Sequence, residues 1–376
     1  MIGAGQLVSL LEEPGPWTYA YVDGQGAEPQ GIEDARRESV RRRLEEAGAP
    51  EADAAAVLEV LDNAAGLPSP SARYVLARDG EVEVDESFPG ARLGPEQCGH
   101  AQIPPILPLL RDRADDIRYV VVEAGRGDAE VRLERAGRPP EHVQEIEGRT
   151  DALPKVQAGG WSQSRYQRTS EEIWKHNQAD VARIVDRLVQ QHSPRFVVVS
   201  GDVRARQLLR DELGTAAQKI LILVDAHTHA AGADRTALDE AIATALEEQL
   251  RSTEQDIVDR ASTDSGSAGA HGLGAVVEAL RQARVESLLL DARMLDSDAA
   301  LAALDESPWV APVEDDEPAN VIERVPAAEA LARAALLTGA RVVVAEDDHQ
   351  SDDDERADRM AREPLAVLRW SGSSPG

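Results

Sequence analysis

Between Lys155 and Lys175 the chain sets a glycine pair, an indole and several cations at spacings suited to contact with nucleic acid. The string reads Lys155-Val-Gln-Ala-Gly159-Gly160-Trp161-Ser162-Gln-Ser-Arg165-Tyr166-Gln-Arg168, and a helical pattern continues from it through Leu188. Paired glycines open backbone conformations closed to other residues and let the chain approach a partner closely. Arg165 and Arg168 are three apart, so they share a helix face from which guanidinium groups can pair with phosphates. Trp161 and Tyr166 supply flat faces on which bases stack. Ser162 is a good N-cap residue and is expected to open the helix. Gly-Gly alone would be an ordinary turn before an amphipathic helix; with the run that follows it makes a flexible tip on a basic, aromatic helix start.

Two other constellations could do chemistry. Asp225-Ala-His227-Thr-His229 directly follows the apolar run Ile220 to Val224. A His-x-His at a strand end can begin a metal site of a barrel hydrolase. Such barrels need further ligands downstream, whereas the histidines after His229 are only His271 and His349, neither in a strand-end pattern. A metal-dependent hydrolase is therefore the enzyme-class alternative, and a loop after a strand is the expectation. The acidic runs Glu314 to Glu317 and Asp347 to Glu355, the latter with His349, lack EF-hand spacing and read as solvated loops. No phosphate-binding P-loop is present, so nucleotide hydrolysis would fall to a partner. No cofactor is expected.

The elements that must position the tip follow from periodicity. Trp17 to Val22 alternates like a strand, and Ile32 to Ala47 and Ala52 to Ala65 read as helices. Asp79-Gly80 joins Ala72–Ala77 to Glu81–Asp85 as a hairpin. Arg41, Arg42 and Arg43 share their helix with Glu38, Glu45 and Glu46, which is the pattern of a solvated face. Ile103 to Leu110 reads as a connection. Strands are expected at Arg118–Glu123 and Ala129–Glu134, with Arg126-Gly-Asp128 as their turn. The long helix then runs to about Gln191, and strands follow at Arg195–Ser200 and Lys219–Val224. Asp202 should cap the helix between these two. Helices at Thr236–Asp259, from Gly274 and at Glu329–Thr338 alternate with strands near Leu290, at Arg341–Ala345 and at Leu365–Trp370. The fold class is mixed α/β, with layered middle and C-terminal parts. Three domains are expected: 1–113, 114–234 with the Gly-Gly-Trp loop, and 235–376.

The string Gly159 to Arg168 resembles the tip of the middle domain of archaeal and eukaryotic class-1 peptide chain release factors. There the motif reads Gly-Gly-Gln-Ser, followed by an Arg-aromatic-x-Arg helix start. Gln282-Ala-Arg-Val-Glu286 and Val367-Leu-Arg-Trp370 resemble two further elements of that family's C-terminal domain, so the likeness covers roughly residues 116 to 370 in order. In the family the loop enters the peptidyl transferase centre, and its Gln positions a water against the peptidyl-tRNA ester. Trp161 stands in that place here, and an indole N–H donates one hydrogen bond but offers no acceptor. The N-terminal part also has no Asn-Ile-Lys-Ser element, and no lysine precedes Lys155. The chain thus looks like a bacterial relative of Pelota and Balon type.

What the resemblance implies is a factor that occupies the ribosomal A site without releasing peptide, most simply in hibernation or protection under stress, with Pelota-type rescue as the alternative. It implies no catalytic residue, and a ribosomal RNA contact formed by Lys155, Gly159, Gly160, Trp161, Ser162, Arg165, Tyr166, Arg168 and Lys175. The implied partners are the 70S ribosome and, through the C-terminal domain, the elongation GTPase that delivers tRNA.

Charge is compatible with this in one region only. The formal net charge is −29, which disfavours nucleic acid over most of the surface. Residues 149–232, however, hold twelve Lys or Arg against nine Asp or Glu, and all three lysines lie there. Cys98 is the single cysteine, which excludes an internal disulfide and fits a reducing cytoplasm. No apolar run is long enough to span a membrane, and no signal-peptide pattern opens the chain. A cytoplasmic location is expected.

Overall fold

Alternating apolar residues draw the N-terminal strands into one antiparallel sheet. Its strands are Trp17–Asp23 (β1), Ser71–Arg78 (β2), Glu81–Pro89 (β3) and Gln97–Ala101 (β4), in the order β3-β2-β1-β4. Asp79 and Gly80 between β2 and β3 both take positive φ, 55° and 78°. A tight hairpin turn requires that conformation at both central residues. Helices Gln30–Glu46 (α2) and Glu51–Leu61 (α3) bury Val40, Leu44, Val57 and Leu58 against Ala20, Val22, Val75 and Ala77 of the sheet. Arg41, Arg42 and Arg43 pair with Glu38, Glu46 and Glu96, in keeping with a solvated face. The opposite face, with Trp17, Tyr21, Tyr74 and Leu76, meets the helices Ala4–Glu12 (α1) and Leu107–Ala114 (α4). The second half of the expected connection Ile103 to Leu110 is thus the start of a helix.

The computed structural model describes all residues except 1–3, 14, 25–29, 64–65, 68, 115–116, 137, 149–159, 227–232, 263–267, 314–319, 347–362 and 371–376. Side chains at positions 4, 30, 113–114, 160–170 and 296 also lie outside the description.

Residues 115–251 form one compact unit. Its sheet contains Arg118–Ala124 (β5), Asp128–Arg135 (β6), His142–Glu147 (β7), Val197–Gly201 (β8) and Leu221–Leu223 (β9), in the order β7-β6-β5-β8-β9. The pairs β5–β8 and β8–β9 are parallel, while β6 and β7 join antiparallel at one edge. Both faces are covered, which is why β5 and β8 read as unbroken apolar runs. One face packs Val120, Val122, Val131 and Val197 against Val181, Val185 and Leu188 of the helix Gly160–His192 (α5), with Val203–Glu212 (α6) and Thr215–Lys219 (α7) beside it. The other packs Tyr119, Val121, Phe196 and Val198 against Leu238 and Ala245 of the helix Thr236–Ser262 (α8). Tyr119 and Phe196 stack there with ring centroids 5.0 Å apart. Two elements escape the sequence pattern. β7 is mostly exposed and polar, and α7 takes up the start of the strand expected at Lys219, which shrinks to β9.

The last segment alternates Gly269–His271 (β10), Leu273–Arg281 (α9), Val285–Asp291 (β11), Ala300–Leu304 (β12), Val310–Pro312 (β13), Val321–Pro326 (β14), Ala327–Leu337 (α10), Arg341–Ala345 (β15) and Leu365–Leu368 (β16). One sheet has the order β10-β16-β11-β15 and a second the order β13-β12-β14, the latter unforeseen. Residues 1–114 and 252–376 form a single unit, although the sequence suggests separate first and third domains. One core runs through both segments, from Trp17, Tyr74 and Leu107 to Leu280, Leu288 and Leu331.

Candidate functional site

The tip motif leads into α5, and α5 is held near its middle by a polar knot. Gly125 N donates to Asp128 O (2.8 Å) to close the β5–β6 turn. Gln178 reaches that turn from α5, donating through Nε2 to Gly125 O at 2.9 Å, and the neighbouring Asn177 Nδ2 lies 3.4 Å from Arg126 O. Asn177 and Gln178 are buried polar residues on the inward stripe of α5. Their carboxamide donors reach turn carbonyls there, which offsets the cost of taking them out of water.

Gly148, the last described residue before the tip segment, donates from its N to Gly127 O at 2.7 Å. A Cβ at Gly148 would stand 2.7 Å from Gly127 O and 2.3 Å from Asn177 Nδ2. No larger residue fits without displacing the knot. The chain therefore leaves the sheet at a fixed point and returns to it along α5.

Asp202 ties α6 to the same place. Its Oδ1 accepts from Arg204 N (2.9 Å) and Ala205 N (3.1 Å), the N-cap expected from the sequence. Its Oδ2 accepts from Arg126 Nε at 3.0 Å, and the Arg126 guanidinium stands 5.0 Å over the Trp174 ring of α5. Burial alone would raise the Asp202 carboxyl, but the Ala205 and Arg204 amides and the Arg126 charge outweigh it and hold the group below the ordinary carboxylate range. Just before Asp202, Gly201 has φ +110°, and a Cβ there would lie 2.1 Å from Ala124 O. Outer ion pairs Arg204–Glu171 (3.2 Å) and Lys175–Glu212 (3.4 Å) join α6 to α5 again.

This arrangement is mechanical. It fixes the middle of a 33-residue helix. At roughly 1.5 Å per residue, such a helix is about 50 Å long. The Asp202 carboxylate of the knot is engaged by amides and a guanidinium group. Among the described residues no group of three or more His, Cys, Asp or Glu could hold a metal ion.

Of the sequence-predicted contact residues, Lys155 and Gly159 lie outside the described residues. Gly160, Trp161, Ser162, Arg165, Tyr166 and Arg168 all fall in the first turns of α5, and their side chains lie outside the description. Ser162 is not the N-cap: α5 already begins at Gly160. Once a helix is nucleated, each added residue gains a backbone hydrogen bond, so the long periodic pattern extends back to the glycine pair. Lys175 is exposed on α5 beside Glu212.

Arg126, Trp174, Asn177 and Gln178 were missed as positioning residues. The available signal was Asn177-Gln178 occupying the inward stripe that Val181, Ala182, Val185 and Leu188 continue. As for the rival metal element, Asp225 accepts an ion pair from Arg206 Nη2 at 2.5 Å, while His227 and His229 lie outside the described residues, as do both acidic runs. Cys98 is partly buried, and burial pushes its thiol up to about 12, which leaves little thiolate at neutral pH.

Residues 118–267, from β5 to just beyond α8, match the family model of bacterial archaeo-eukaryotic release factor family 2. Over this segment the chain is similar to the bacterial archaeo-eukaryotic release factors. The matched segment contains the tip, its supporting helix and the knot described above. Along its length the chain is also 26% identical over 353 residues to the uncharacterized protein Rv2629 of Mycobacterium tuberculosis strain H37Rv, covering 89% of this chain and 90% of that one. Among solved structures it overlaps Archaeoglobus fulgidus Pelota with a TM-score of 0.39 and 14% identity, covering 99% of this chain and 92% of that chain. Saccharomyces cerevisiae Dom34, described as a translation termination-like factor that interacts with Hbs1, gives 0.41 and 13%, covering 81% of each chain. The likeness to release factors rests on the family match over residues 118–267 and not on these overlaps. No helix among the described residues is long and apolar enough to cross a membrane.

Proposed function

We propose that this release-factor relative binds the ribosome in the cytoplasm, enters the A site with its Gly159-Gly160-Trp161 tip, and does not hydrolyse peptidyl-tRNA. The observation that carries this reading is Trp161 at the place where the resembling factors use Gln. Ester hydrolysis needs a polar group that positions water beside the carbonyl, and an indole with one donor and no acceptor cannot take over a carboxamide's part. A tip retained without its hydrolytic group suits a protein that occupies and protects an idle ribosome under stress. The anchored middle of α5 supports the same reading, because a probe on a firmly held helix loses little entropy when it docks. Arg165, Arg168, Lys155 and Lys175 would meet ribosomal RNA phosphates, with Trp161 or Tyr166 stacked on a base. The elongation GTPase that delivers tRNA would be a protein partner of the C-terminal segment.

The test has two arms. Sedimentation with 70S ribosomes should show co-migration that weakens as salt rises, and exclusion from intact ribosomes sinks the A-site reading. Programmed ribosomes carrying labelled peptide should retain it in the presence of stoichiometric protein. Release of the peptide would mean that Trp161 does not abolish the chemistry.

A further inference from the structure

The opposite end of α5 builds a second site that the tip does not use. Between the edge strand β7 and the last turns of α5 lies a groove of about 540 Å³. Its floor is apolar, made by Leu133 of β6 with Ile184 and Leu188 of α5. Its walls carry one cation and several polar groups: the Arg187 guanidinium, the ring nitrogens of His142 and His192, and the carboxamides of Gln144 and Gln191.

The local charge departs from that of the whole chain. Arg187 is exposed and forms no ion pair among the described residues, so its guanidinium is available to a ligand. Glu141, the one carboxylate of the lining, is already engaged by Arg118 Nε (3.2 Å) and Arg135 Nε (2.6 Å), so it does not compete with a ligand for Arg187. In a chain of net charge −29, a concave site with this sign selects an anion. Its volume suits a small organic ligand. The apolar floor asks that the anion carry a flat or apolar part as well.

We propose that this groove binds a nucleotide unit. Its phosphate would lie against Arg187 with His142 and His192 beside it, its base would cover Leu133, Ile184 and Leu188, and the two carboxamides would meet the base edge. A guanidinium fork matches phosphate oxygens in two parallel hydrogen bonds, which an isolated ammonium group cannot do. The nucleotide can be a free nucleoside monophosphate or one residue of an RNA strand, since both present the same chemistry. At roughly 1.5 Å per residue the site lies about 30 Å along α5 from Arg168, so it is separate from the tip and does not depend on what the tip contacts.

The experiment is calorimetric titration of the full chain with AMP, GMP, CMP and UMP, with a tetraribonucleotide and with inorganic phosphate. Saturable binding of a mononucleotide or of the tetranucleotide with a Kd of about 1 mM or tighter is expected. Arg187→Ala should weaken it at least about tenfold, the loss of one charged contact. Ile184→Asp should abolish it, and Arg210→Ala on α6 should leave it unchanged, all with melting temperatures near that of the parent. Tighter binding of the tetranucleotide identifies an RNA strand as the source, and equal or tighter binding of a mononucleotide identifies the free compound. The proposal is overturned if nothing saturates by about 5 mM. It is equally overturned if Arg187→Ala binds as the parent does, or if inorganic phosphate binds as tightly as AMP.

Discussion

The two compact units bury charge in opposite ways. In the middle unit the Arg132 side chain lies 8% exposed among carboxylates: Nη1 donates to Glu123 at 2.6 Å, Nε donates to Glu134 at 2.6 Å, and Glu130 is also engaged. Arg235 adds a second guanidinium at 2.9 Å from Glu123, and Tyr119 donates to Glu134 at 3.0 Å. Burial alone would lower the Arg132 pKa, but its three carboxylate partners outweigh that and raise it.

In the other unit α10 carries Glu329 and Arg333 one turn apart, and each bonds to backbone rather than to the other, with the Arg333 Nε left buried and without a hydrogen bond. Glu329 Oε2 accepts from Ile106 N (2.9 Å) and Leu107 N (3.2 Å) at the start of α4. Arg333 donates to Leu11 O and Leu304 O, both at 3.0 Å. An acid thus meets a helix start, and a base meets the last turn of α1, each favourable to the local dipole. Dipoles compensate burial less completely than full charges. Burial accordingly pushes Glu329 up to about 7 and Arg333 down to about 10. A buried ion network keeps its charge states, whereas a backbone-capped charge becomes sensitive to pH.

The sharpest way to break this contrast is Arg132→Leu. It takes the guanidinium away from Glu123, Glu130 and Glu134, and removing one partner of a buried ionic cluster costs about 3–5 kcal/mol. Urea unfolding of the full chain should show that loss at pH 8. It should shrink as the pH falls, because the stranded carboxylates then take up protons. Adding Glu123→Leu to Arg132→Leu should restore part of it. A single-variant loss under about 1 kcal/mol would mean that water already screens the cluster.

Glu329 gives the next effect, with a definite sign. Its folded pKa is raised from the ordinary 4.5 to about 7, so the folded state binds the proton more tightly than the unfolded chain does. The stability this confers is complete below about pH 4.5 and is lost as the pH rises through about 7, an amount on the order of 3 kcal/mol. Glu329→Gln keeps an acceptor oxygen for the Ile106 and Leu107 amides but cannot ionise. Between pH 4.5 and 8 the parent should lose stability that the variant keeps. Parallel pH–stability curves would show that water or a nearby cation relieves the burial.

Much of this architecture was legible. Unbroken apolar runs marked β5 and β8 because both faces of their sheet are covered, and Asp79-Gly80 marked its turn because two adjacent positive φ values favour that pair. Asp202 was found as a cap from local chemistry. What could not be read was long-range. Glu329 and Arg333 sit in an alanine-rich helix where any charge looks solvent-facing. Their partners include backbone atoms of Ile106 and Leu11, which lie 223 and 322 positions away in the chain. β7 was hidden for the opposite reason, since its polar sequence has little to bury at a sheet edge. The tip motif was recognisable from residue types, yet the knot beneath it depends on turn carbonyls 51 and 53 positions earlier.

That knot supplies a smaller prediction. Arg126→Ala removes an ion pair to Asp202 and a contact over Trp174, in a position where the Arg126 side chain is 56% exposed. Exposed ion pairs contribute about 0.2–1 kcal/mol, and a cation–π contact at such a site adds about 0.5–1 kcal/mol. A global loss near 1 kcal/mol is about what those two ranges allow once solvent screening is counted. Faster amide exchange in the turns of α5 around Trp174 should accompany it. Asp202 sits below the ordinary carboxylate range, so its share of the stability is present at neutral pH and disappears as the pH falls through its folded value. The gap between parent and variant should therefore narrow in acid. Unchanged exchange around Trp174 would mean that the anchoring of α5 does not depend on Arg126.

Lys175→Ala should have the smallest effect on stability and separates a contact residue from a merely solvated one. The Lys175 side chain is 64% exposed and its ammonium stands 3.4 Å from Glu212. An exposed pair of this kind contributes on the order of 0.5 kcal/mol or less. The melting temperature should hardly move. If the proposed ribosomal contact is right, the same substitution removes one phosphate partner, and the slope of log affinity against log salt should fall by roughly one unit or less. Glu212 competes for the same ammonium, so Glu212→Gln should act in the opposite direction and strengthen binding at low salt. An unchanged slope in both variants would place Lys175 on the solvent face of α5, with the RNA contact confined to the first turns of the helix.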